Sequence, residues 1–156
     1  MASLTTHASI LILILSVSTT GWSQDLTRGG IPVGSQVELS DVIVVVPESR
    51  TSVAAFSVSN SLWANVALDS PLEENVEVVV VGELAAFQHK STIFAFSGLT
   101  GKWARLALPD GSTARLSFGG NGYVRVLDAK SLYVFGRNAE AWSGVSLSTG
   151  KQLKIE

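Results

Sequence analysis

Beyond its first two dozen residues the chain holds one imidazole, His89, in the run Gln88-His89-Lys90-Ser91. Any serine nucleophile would have to hand its proton to that ring, since imidazole is the base of a Ser-His-Asp set. No G-x-S-x-G segment presents a serine on a strand-to-helix elbow. The run around His89 has turn chemistry, so His89 is expected to be a solvated turn residue. Carboxylates are scattered as Asp41, Glu48, Asp69, Glu73, Glu74, Glu77, Glu83, Asp110, Asp128 and Glu140, and none forms a pair set apart from the rest. A glycosidase needs two carboxyl groups across the scissile bond, and their separation cannot be read from sequence. Glu73, Glu74 and Glu77 have the oxygen chemistry of a hard-cation site, but a short solvated loop beside a strand is the better explanation of them. Gly119-Gly120-Asn121-Gly122 lacks the following helix a phosphate-binding loop requires, and reads as a turn. With no cysteine in the chain, thiolate zinc sites, iron–sulfur clusters, disulfides and cysteine nucleophiles are excluded. We therefore expect no catalytic residue, no cofactor and no metal, and a non-enzymatic protein.

The 156 residues, 46% apolar and 15% charged, suffice for one ordinary core. Eleven Lys and Arg against thirteen Asp and Glu give a net charge of −2, which leaves no basic field to hold a phosphate backbone. A nucleic-acid partner is not expected.

Residues 8–17, ASILILILSV, form an apolar run of signal-peptide length, well short of the roughly 20 residues a membrane span needs. Gly21-Trp22-Ser23 sets small side chains three and one positions before Gln24, where a signal peptidase could cut. The sequence thus predicts a signal peptide over 1–23, a linker over 24–35 and a secreted or periplasmic protein with no membrane span in the mature chain.

The chemistry that remains lies in a repeat. FSVSNSLWANVAL from Phe56, FSGLTGKWARLAL from Phe96 and FGRNAEAWSGVSL from Phe135 share the form F-x6-W-x2-[VL]-x-L. Their tryptophans, Trp63, Trp103 and Trp142, lie 40 and 39 residues apart. Such a period marks units of about forty residues, here about 36–74, 75–112 and 113–150, with a terminal strand over 151–156. Each unit carries four stretches of strand chemistry; in the second these are 75–81, 84–88, 92–97 and 103–108. Turn signals separate the strands: Thr100-Gly101, Asp110-Gly111, Asn121-Gly122 and Thr149-Gly150. Partial alternation over 103–108 and 113–118, with no helical periodicity, predicts an all-β domain over 36–156.

The stretch from Arg115 to Trp142 resembles a kelch-type β-propeller blade: a strand ending in the pair Gly119-Gly120, a short loop and strand, then an aromatic seven residues before a tryptophan. The second unit adds Thr100, Trp103, Leu106 and Pro109 in the order of that pattern, while its glycine pair is reduced to Gly82-Glu83 and the first unit has none. The resemblance implies propeller-like blades. Closed propellers have roughly four to eight blades, so three units call for a homodimer that completes a six-unit ring. A β-trefoil, which closes on three four-stranded units, and an open or irregular β-sheet stack are the alternatives. Residues 151–155 fall where a fourth unit would begin, and are expected to pair with a neighbouring unit or chain.

Phe56, Phe96 and Phe135, and with them the tryptophans, are expected in the core; exposed tryptophans would instead make a multivalent sugar platform. The loops at 59–62, 99–102 and 137–141 are equivalent, differ in charge and emerge on one side. Asn60, Lys102, Arg137, Asn138 and Glu140 are the ligand-binding candidates, for a protein or carbohydrate partner. Two other readings stay open: a polysaccharide hydrolase or lyase, and a remnant of a longer propeller without its own activity. Val76 to Val81, apolar and rich in β-branched residues, needs cover against edge-to-edge aggregation.

Overall fold

The computed structural model describes residues 40–120 and 122–155. The expected signal peptide over 1–23, the linker over 24–35 and most of the first strand of the first unit lie outside the described residues. Among the described residues every regular element is a β-strand, so the domain is all-β. Strands β1 (Val42–Val45), β2 (Ser52–Ser57) and β3 (Leu62–Ala67) form a three-stranded sheet. Strands β4 (Val79–Val81), β5 (Leu84–His89), β6 (Thr92–Ser97) and β7 (Lys102–Ala107) form a four-stranded sheet. Strands β8 (Arg115–Gly119), β9 (Tyr123–Leu127), β10 (Ser131–Gly136), β11 (Ser143–Ser146) and β12 (Gln152–Leu153) form a five-stranded one.

Every pairing is antiparallel and joins strands adjacent in sequence. Short turns permit this order, because a tight hairpin can only return the chain antiparallel. Lys90 and Ser91 alone connect β5 to β6, with Lys90 at φ 53°, and Gly82 at φ 55° turns β4 into β5. Residues 151–155 do not begin a further unit. Their strand β12 pairs with β11 at the edge of the third sheet, because Gly150, at φ 67°, reverses the chain back onto β11.

The register gives each sheet two distinct faces. One carries a Phe-Trp pair: Ile43, Phe56 and Trp63 in the first sheet, Val80, Ala85, Phe96 and Trp103 in the second, Phe118, Val124 and Phe135 in the third, where Trp142 follows. The opposite face carries small residues at the matching positions: Val44, Ala55 and Ala64 in the first, Ala86, Ala95 and Ala104 in the second. The sheets stack with the small-residue face of one against the aromatic face of the next. Phe96 and Ala85 pack with Val42 and Ala55, and Phe135, Trp142, Val124 and Val126 pack with Ala86, Ala95, Ala104 and Leu106. Large rings need small residues opposite them to reach interior packing density. Beside the first junction Phe87 and Phe94 stack at 4.8 Å among Val53, Val66, Leu72 and Val78.

Phe96 and Phe135 are wholly buried. The expectation of a buried core position fails at the first unit, where Phe56 is half-buried and Trp63 is 54% exposed, because no described sheet lies on that face. Val78 is buried and Val79–Val81 are half-buried, yet β4 pairs only with β5 and remains an edge.

Candidate functional site

The loops after β2, β6 and β10 lie at the same end of their sheets, as hairpin connections between equivalent strands must. At that end one device recurs. The hydroxyl of Ser57, a wholly buried residue, donates to the carbonyl of Gly98 in the next sheet's loop and accepts the Asn60 N–H at 3.0 Å. Ser97, equally buried, donates to the carbonyl of Arg137 and accepts the Thr100 N–H at 3.1 Å. Each serine thus closes its own loop and ties it to the following one. Gly98 suits this position, since a Cβ there would stand 2.8 Å from Val42 Cγ2 and 3.1 Å from the Glu83 carbonyl oxygen. In the third sheet the serine is replaced by Gly136, whose Cβ would meet nothing within 4 Å.

The candidate binding residues sit along this ladder. Asn60 Nδ2 donates to the carbonyls of Gly98 at 2.7 Å and Leu99 at 2.8 Å, which makes Asn60 a tie between loops. Lys102 Nζ lies 2.8 Å from Glu140 Oε2, with both side chains more than half exposed. Arg137 Nη1 lies 3.8 Å from Glu83 Oε2, and Thr100 Oγ1 donates to the Ala139 carbonyl at 3.4 Å. Asn138 is exposed beside them. Lys102, Arg137, Asn138 and Glu140 therefore stand together over the second and third sheets, and Asn60 joins them through the second loop. Exposed ion pairs are worth at most about 1 kcal/mol, so Lys102 and Glu140 can exchange each other for a ligand at small cost.

His89 is not a solvated turn residue. It ends β5 at 5% exposure, because the connector from β3 to β4 folds over it and sets Ser70 Oγ 3.0 Å from its Nε2. Its Nδ1 is buried without a protein partner. A serine–histidine pair becomes a nucleophile and base when an acceptor orients the other ring nitrogen, and that acceptor is missing. The third sheet explains the contact better: Ser112, in the equivalent connector, donates to Asp128 at 3.2 Å, and Asp128 aligns with His89 in the repeat. Both serines fasten a connector to the end of a second strand. Nothing in the spacing of Ser70 and His89 announces this; only the Ser112–Asp128 counterpart, once aligned, points to it.

Glu73, Glu74 and Glu77 are exposed, and among the described residues no group of three or more His, Asp or Glu side chains converges as a metal site. Trp103 is half-buried with its Nε1 donating to the Ala64 carbonyl at 3.1 Å, and Trp142 is 6% exposed. Two of the three repeated indoles are thus committed to packing between sheets. Among the described residues no helix is long and apolar enough to cross a membrane. Compared with known proteins, the chain matches no family model and no curated protein.

Proposed function

We propose that the chain is an exported, non-enzymatic β-repeat protein, its sheets kelch-like blades of a propeller-like assembly, which binds a protein partner through the loops after β2, β6 and β10. The observation that carries this reading is the ladder of serine and asparagine bonds that fuses three equivalent loops into one surface while leaving Lys102, Arg137, Asn138 and Glu140 exposed. A protein is favoured over a glycan because a repeated sugar platform needs three open aromatic faces, and Trp103 and Trp142 are occupied. Export rests on residues 8–17 and the small residues before Gln24.

The test compares capture by the wild-type protein and by a Lys102→Ala, Arg137→Ala, Glu140→Ala variant, using extracellular proteins of the host and a glycan array in parallel. A defined protein retained by the wild type and lost by the variant is expected. Retention of glycans alone, or polysaccharide cleavage that disappears when carboxylates are changed, would replace the reading with a lectin or a hydrolase.

A further inference from the structure

Among the described residues the stack has two open ends, and they correspond to the two sides of the junction it already uses twice. On the first sheet the aromatic face is bare: Trp63 is 54%, Ile43 44% and Val45 44% exposed. Its Phe56–Trp63 pair, at 5.2 Å and 48°, has the geometry of Phe96–Trp103 at 5.2 Å and 45° and of Phe135–Trp142 at 5.5 Å and 43°. The docking rings of the first sheet are therefore set as in the filled junctions, although nothing described covers them.

The opposite end presents the third sheet's face that lies opposite its Phe135 side, at the positions that carry the small residues in the other two sheets. Its register places Arg125, Val134 and Ser143 where the other sheets have Val44, Ala55 and Ala64 or Ala86, Ala95 and Ala104. Leu127, on the same face, is 50% exposed. Ser143 thus holds the position of Ala64, whose carbonyl receives the Trp103 indole N–H. Arg125 holds the position of Val44, which packs in the same cluster as Trp103; its Nε donates to Ser117 Oγ at 2.9 Å, which holds the guanidinium flat on this face where an incoming indole could stack on it.

We infer that these two ends bind each other between copies: the Trp63 face of one chain docks on the Val134 face of a second, and the second closes on the first in the same way. The partner is a second copy of this chain. Two copies of three sheets give six, within the roughly four to eight blades that close a propeller. The contact is head-to-tail, and a head-to-tail contact that closes gives a finite ring. This inference does not depend on what the loops bind.

The test is the absolute mass in solution, by light scattering on the size-exclusion peak at micromolar concentration, of the protein purified after expression of the full chain. Wild type is expected at twice the chain mass. Trp63→Glu on one end and Val134→Glu on the other are each expected at one chain mass with unchanged far-ultraviolet circular dichroism. Leu127→Glu, at a more exposed site of the second face, repeats the test should Val134→Glu misfold. A wild-type mass of one chain overturns the inference, whether Trp63 is bare or covered by residues 1–39 of its own chain. A dimer that survives Val134→Glu and Leu127→Glu but not Trp63→Glu also overturns it, because like faces would then be pairing. A mass that climbs with concentration overturns the two-copy closure.

Discussion

The same residue type at the same place in the repeat does different work according to what lies across from it. Trp103 fills a junction and donates to the Ala64 carbonyl, so Trp103→Ala should cost about 3 to 5 kcal/mol in urea unfolding. Trp63 has the same sequence context and half its surface in water. Trp63→Ala should leave the stability of the isolated chain within about 1 kcal/mol of wild type, with any further loss appearing only as protein concentration rises. Ser97 is wholly buried and bonded twice, to Arg137 and Thr100. Ser97→Ala leaves a carbonyl and an N–H without their partner, and should cost about 1 to 3 kcal/mol. Lys102 behaves in the opposite sense: its ion pair with Glu140 is exposed, so Lys102→Ala should shift the unfolding midpoint little while weakening partner capture. A comparable loss of stability in Lys102→Ala and Ser97→Ala would contradict this division between tie and contact.

Strands and turns were legible because their signals are local. Alternation over 103–108 yields β7, Thr100-Gly101 yields the turn before it with Gly101 at φ 67°, and the forty-residue period yields three sheets in chain order. Properties set by distant chain were not legible. The burial of His89 depends on Ser70 folding over from the β3–β4 connector, and the exposure of Trp63 depends on a neighbour that the repeat pattern cannot supply. The candidate loops were located by equivalence alone, but the use of Asn60 as a tie became visible only with Gly98 and Leu99 beside it. Close approach also escapes sequence. Gly119 lies against the Tyr123 ring, where a Cβ would stand 2.0 Å from Cζ. The ring is an exposed side-chain end that can swing aside, so Gly119→Ala should destabilise the β8–β9 hairpin by no more than about 1 kcal/mol. Adding Tyr123→Ala should recover most of that loss, since the clash is with one side chain. A double-mutant cycle by urea unfolding measures it, and additive effects would place the strain in the backbone instead.

At the scale of the molecule, a repeat stacked in one direction always ends in two unlike surfaces, and both must be covered, capped or joined. Among the described residues no polar cap covers Ile43, Val45 or Trp63 at the aromatic end, as the proposed joint requires. The other end departs from the repeat in one informative place: Gly136 stands where Ser57 and Ser97 reach across to the next loop, and the space beside it is open. A junction between copies would thus lack the serine bond that both internal junctions have, and should be the weakest of the ring. Gly136→Ser restores a hydroxyl directed at the neighbouring copy's first loop. One such bond is worth about 0.5 to 1.5 kcal/mol and the closed dimer has two such junctions, so dimer dissociation measured by dilution should tighten by about fivefold to about 150-fold. The stability of the isolated chain should stay nearly unchanged, because a Cβ at 136 meets nothing within 4 Å and the Ala139 N–H that a serine there would receive is already bonded to the residue 136 carbonyl at 2.9 Å. Tighter association without a gain in monomer stability is the signature of a shared junction, whereas an equal gain in the monomer would mean that the serine had found a partner in its own chain.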